Sequence, residues 1–121
     1  MNLLIQLASK ITLTLPILFG SASAFAGASI KGYEMQHCTA SKVCLRLKGV
    51  EADQSSYANL WVIPKSELVI SDESKNKELQ RWSGKTVFFN DTSKQLVVKD
   101  PANSKEWQIN LEDLKVTEFK L

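Results

Sequence analysis

The chain is poor in the residues that most often carry chemistry. Of its 121 residues, one is histidine, two are cysteine, five are glycine and three are proline. With a single histidine, any Ser–His–Asp constellation has to be built on His37. With so little glycine there is no Gly-rich loop to cradle a phosphate. A metal centre needs at least three ligands from His, Cys or carboxylate, and the nearest approach is His37, Cys38 and Cys44. His37 and Cys38 are neighbours, and neighbours on a strand point to opposite faces, so no metal and no cofactor is expected. The cysteines are six apart rather than in a Cys-x-x-Cys motif, which argues against a thiol oxidoreductase. Excess charge of one sign is missing too. Fifteen Lys/Arg stand against thirteen Asp/Glu, net +2. Without a basic stripe to displace counterions, no nucleic-acid partner is expected. The carboxylate pairs Asp72/Glu73 and Glu112/Asp113 are sequence neighbours, whereas a glycosidase needs two carboxylates facing each other across a cleft.

The N-terminus reads "MNLLIQLASKITLTLPILFGSASAFAGAS", with Lys10 its only charge. An apolar core followed by small residues in Ala-x-Ala triplets is the pattern of a signal peptide. Lys10, Pro16 and Gly20 cut the apolar run below the roughly 20 residues of a membrane span. Cleavage is placed after Ala26, giving a signal peptide 1–26 and one small domain 27–121, periplasmic or secreted in a bacterial setting. No membrane insertion is expected after cleavage. Such a domain has a limited core and benefits from a covalent staple.

The rest reads mainly as strands: 30–38, 43–50, 57–63 closed by Pro64, 85–89, 95–99, 106–111 and 114–121. "SELVIS" (66–71) fits a strand or a turn into a helix. "NDTS" and "DPANS" carry turn residues. Trp107, Ile109 and Leu111 alternate with polar residues, as on a sheet with one buried face. "SDESKNKELQRWSG" (71–84) shows no alternation. Ser71 or Asp72 as a cap, Leu79 and Trp82 three apart and Gly84 as a stop predict one short helix over about 73–82. The expected fold is mainly β, a small five- to six-stranded antiparallel barrel or meander with one short helix and one disulfide.

The order of strands, helix, "SGKTVFF", hairpin and "INLEDLKV" resembles the small exported bacterial OB-fold domains over the C-terminal half. That resemblance implies an OB-like barrel and a varied small ligand or partner. The two-cysteine hairpin is not part of that family's usual pattern.

The stretch "YEMQHCTASKVCLRLKG" (33–49) can be laid out as a hairpin. If Cys38 lies opposite Cys44, Gln36 faces Arg46 and Glu34 faces Lys48 on the cysteine face. Met35 then meets Leu47, His37 meets Leu45 and Tyr33 meets Gly49 on the other. Charged and apolar residues separate cleanly, and a one-residue slip would lose that partition. A structural Cys38–Cys44 disulfide on the solvent face follows, suited to an oxidising compartment and worth roughly 2–2.5 kcal/mol by loop closure.

Three tryptophans, Trp61, Trp82 and Trp107, are the surplus. In "YANLWVIP", Tyr57, Asn59, Trp61 and Ile63 share one face of a strand, and this face is the expected binding surface. The functional expectation is a non-enzymatic binding protein for a protein or cell-envelope partner, an inhibitor or immunity-type protein being one specific form. The alternatives are an OB-like module for a small ligand and a small hydrolase using His37.

Overall fold

The computed structural model describes residues 27–55 and 59–121. They form one antiparallel sheet of seven strands in chain order. The strands are β1 (Ser29–Cys38), β2 (Val43–Gln54), β3 (Leu60–Asp72), β4 (Lys77–Asn90), β5 (Gln95–Asp100), β6 (Lys105–Asn110) and β7 (Val116–Lys120), with one short 3₁₀ turn at Pro101–Asn103. The sheet is open, with β1 and β7 at its edges. This corrects the expected five or six strands to seven; of the two expected arrangements, barrel and meander, the sheet takes the meander and stays open.

The first hairpin takes the register read from its residues. Cys38 pairs with Cys44, His37 with Leu45, Met35 with Leu47, Glu34 with Lys48 and Tyr33 with Gly49, and the two cysteines are bonded. Met35, Leu45 and Leu47 enter the core. Cys38 is exposed, but Cys44 is buried, because β3 lies beside β2 and sets Ser71 against it.

The helix expected over 73–82 is a hairpin turn and the start of β4; no helix of seven or more residues occurs among the described residues. Two features misled the reading. Asp72 does cap, but its carboxylate accepts the backbone N–H of Ser74 at 3.0 Å and the Ser74 hydroxyl at 2.6 Å, closing a turn rather than opening a helix. The pairing then slips between Ile70 and Ser71, so that Ser71 faces Glu78 while Ile70 faces Gln80. The extra residue, Leu79, is a bulge and is half exposed. It puts Glu78 and Arg81 on one face despite their odd spacing, and the guanidinium reaches Glu78 at 2.8 Å and Glu67 at 3.2 Å. The alternation is present but broken in phase. Pro64 likewise does not close its strand. β3 runs through it because the register with β4 shifts between Ile63 and Ser66 and Lys65 takes φ 50°, so a residue without an N–H sits where the ladder is already interrupted.

That shift is one of a row. On β1, Gly32 has φ 62° and the register skips it and Val50 opposite. On β4, Gly84 has φ 73°. In each of β2, β3 and β4 the buried positions change parity across this line. Leu45 and Leu47 give way to Ala52 on β2, Ile63 to Ser66, Leu68 and Ile70 on β3, and Trp82 to Val87 on β4. Four strands are therefore bent along a common crease. The bend folds the hairpin half of the sheet over the other. Trp82 and Trp107 meet edge to face, ring centres 5.9 Å apart. In a flat sheet, two strands and five residues of separation would leave them on the order of 19 Å apart. Between the halves lies a single core, including Leu47, Ile63, Leu68, Trp82, Val87, Leu96, Val98, Trp107 and Ile109.

Gly49 lies at the crease for a steric reason. A Cβ there would stand 2.3 Å from the Cγ2 methyl of Ile63, which is fully buried and has nowhere to go. Gly49→Ala is expected to cost about 1–3 kcal/mol by overpacking. In an Ile63→Ala background, which removes that methyl, the same change should cost clearly less. Equilibrium denaturation of the four proteins checks this; additive costs would contradict it.

Candidate binding site at the loop end of the sheet

The folding of the sheet gathers one group of polar and aromatic side chains where β3 begins and β4 ends. Leu60 pairs with Asn90 and Trp61 with Phe89. Beyond the last pair, the Asp91 N–H donates to the Asn59 carbonyl at 3.0 Å, and the Asn59 side-chain amide donates to Asn90 Oδ1 at 3.3 Å. Asn90 Oδ1 also accepts the backbone N–H groups of Thr92 and Ser93, each at 3.0 Å. This Asx turn closes the β4–β5 hairpin. Lys94 completes it at φ 56°, and its carbonyl accepts the N–H of Leu111 at 3.0 Å, tying in the β6–β7 turn.

The turn leaves the Asp91 carboxylate half-buried, within polar reach of Trp61 and Thr92. Burial raises the Asp91 carboxyl above the ordinary range, against the opposing pull of Trp61 and of Lys94. Tyr33, from β1, lies within electrostatic reach, and its phenol is pushed up by burial and then by the Asp91 charge. Tyr33, Trp61 and Phe89 all pack partly buried against the core. Among the described residues, no Lys, Arg or His nitrogen lies within ion-pair distance of Asp91. The acids Glu51, Glu67, Glu73, Glu78, Asp100 and Glu118 all have such a partner.

The expected site residues fare differently. Asn59 and Trp61 belong to this group. Ile63 shares their side of the strand but is wholly inside the core, so it supports the site and presents nothing to a partner. Tyr57 lies outside the described residues. Trp82 and Trp107 are 4% and 9% exposed, which leaves Trp61 as the tryptophan with the most accessible ring. His37 sits elsewhere on β1, opposite Leu45, and burial lowers its pKa. Asp72 and Asp113 spend their carboxylates on turns, Asp113 accepting the Lys115 N–H at 2.9 Å. No group of three His, Cys, Asp or Glu able to hold a metal occurs among the described residues. Asn90, Asp91 and Tyr33 escaped the sequence reading. "NDTS" announced a turn, but nothing in it announced that Trp61, thirty residues earlier, would stand over that turn.

No protein-family model matches the chain, no curated protein matches it, and no solved structure matches its fold.

The Asp91 carboxyl gives a pH test. Its native pKa is raised above the unfolded value near 3.8, so its ionisation opposes folding, and the native state loses stability as pH rises through that titration. Asp91→Asn, which keeps the shape and removes the charge, should raise the Tm at pH 7, and the gain should vanish as pH falls to the unfolded value. A Tm at pH 7 below that of the wild type would contradict this.

Proposed function

We propose that this chain is an exported, non-enzymatic binding protein that meets a protein partner in the cell envelope through the loop end of its sheet. An inhibitor or immunity-type protein is the specific form that suits a small stapled domain. The observation that carries the reading is the contrast among the tryptophans. Two are sunk in the core, while Trp61 is partly exposed at a loop end, paired with Phe89 and next to the Asn59–Asn90 hydrogen bond and the Asn90 turn. An aromatic ring with a polar handle, rimmed by polar groups, is the composition of an interface centre. Export rests on the apolar leader of the sequence and accords with the Cys38–Cys44 bond.

The test is capture from an envelope extract with residues 27–121 as bait, comparing wild type, Trp61→Ala and, as a surface control, Val50→Ser. Val50 is 72% exposed and lies at the crease, away from the loop end. A specific partner should be retained by wild type and Val50→Ser and lost or strongly reduced with Trp61→Ala. Equal recovery with Trp61→Ala overturns the choice of surface.

A further inference from the structure

An open sheet ends in two edge strands, each with a row of unpaired N–H and C=O groups. β1 is the poorer template of the two. It is interrupted at Gly32, where φ is 62° and the register skips a pair, and such a break turns other strands away. β7 has no glycine, no proline and no break in its register with β6. Its outward groups can be named. The Lys115 carbonyl accepts from the Asn110 N–H at 3.1 Å and the Leu121 N–H donates to the Ser104 carbonyl at 2.8 Å, so both face the β6 side. Backbone groups alternate sides along an antiparallel strand. Thr117 and Phe119 therefore face β6 as well, and Val116, Glu118 and Lys120 point their N–H and C=O outward. The side chains are unmatched too. Lys120 lies directly opposite Lys105, a like-charge pair, and no carboxylate among the described residues is within ion-pair distance of it. Of the exposed large apolar side chains Val50, Leu79, Phe119 and Leu121, the last two lie on this edge, 40% and 75% exposed.

We infer that β7 pairs antiparallel with β7 of a second copy of this chain, across a two-fold axis at Phe119. The edge asks for a strand with a carboxylate opposite Lys120 and a cation opposite Glu118, and β7 run backwards is such a strand. Glu118 of each copy stands opposite Lys120 of the other, and each such pair exchanges both backbone hydrogen bonds. Glu118 already accepts from Trp107 and lies 3.8 Å from Lys105, and a carboxylate has acceptor sites for a further donor. On the outer face Phe119 meets its own copy and Thr117 meets Leu121, which covers both exposed apolar side chains. The neighbouring two-fold registers fail. Centred on Glu118, the pairing sets glutamate against glutamate. Centred on Thr117, it sets Glu118 against Val116 and Lys120 against Leu114 in the turn. The charges that turn away an unrelated strand thus select this one. The inference is independent of the partner proposed for the loop end.

The test is analytical ultracentrifugation of residues 27–121, which hold the whole sheet, at concentrations up to about 1 mM, as a small interface requires. Wild type should show a monomer–dimer equilibrium that Lys120→Arg leaves unchanged. Lys120→Glu and Glu118→Lys should each weaken self-association about tenfold or more. Mixed, the two variants should pair with each other, because each supplies the charges the other lacks. In amide hydrogen exchange, the N–H groups of Glu118 and Lys120 should gain protection as wild type associates. A monomer at every concentration, a dimer insensitive to Lys120→Glu, variants that do not pair when mixed, assemblies that grow beyond the dimer, or no added protection at those two amides overturns the inference. Should Glu118→Lys lose its fold along with the Trp107 hydrogen bond, Lys120→Glu against Lys120→Arg and the exchange data decide. Capture of an envelope partner through Trp61 stands or falls separately.

Discussion

The bend across the first four strands is the constraint on which the rest of the structure depends. A seven-stranded meander left flat would have one apolar face in water. Bent, it buries that face against itself and gives a core to described residues among which no helix reaches seven residues. The bend is made where side chains would prevent it. Gly32 and Gly84 supply left-handed backbone, Gly49 clears the space that the Ile63 methyl occupies, and Pro64–Lys65 interrupts β3. Glycine is scarce in this chain, and three of its five copies lie on this line.

Polar interactions follow the same geography. On the outer faces, the ion pairs of Arg81 with Glu67 and Glu78, of Arg46 with Glu73 and of Lys31 with Glu51 are solvent-exposed, and such pairs contribute little net stability. Their service is to keep the exposed rows charged and to set register. Inside the fold, Asp100 is buried where β5 ends. It accepts from Asn103 at 2.8 Å and from Lys85 at 3.4 Å, and these partners hold its carboxyl below the usual range. Asp91 is the contrast, a half-buried carboxylate with no Lys, Arg or His nitrogen within ion-pair distance among the described residues. Trp107 donates its indole N–H to Glu118 at 3.1 Å, whereas the buried Trp82 N–H finds no acceptor among the described residues, and an unmet buried donor costs about 1–3 kcal/mol.

What was legible in the sequence was whatever depends on near neighbours. The β1–β2 hairpin, its register and its disulfide could be worked out because Tyr33–Cys38 and Cys44–Gly49 sort their charges and apolar residues so cleanly. The helix was misread because an Asx turn at Asp72 imitates a helix cap and the bulge at Leu79 scrambles the alternation that would have marked a strand. β3 was cut short because Pro64 usually ends a strand, and only the partner strand reveals the bulge that accommodates it. At the site, Trp61 stood out by composition. Asn90 and Asp91 did not, since a turn motif gives no sign of which distant strand will pair beside it. Ile63 was included by parity alone, which identifies a face of the strand but not whether that face looks inward.

The central claim is that the sheet folds across its crease, bringing distant strands face to face. Proton NMR of the native protein tests it most directly, through the contact between the rings of Trp82 and Trp107. Cross-relaxation between the two indoles is expected, and it should disappear on unfolding. Its absence in the native protein, with both tryptophans assigned, would mean that the halves do not close on one another, and would contradict the account of the core and of the loop-end site together.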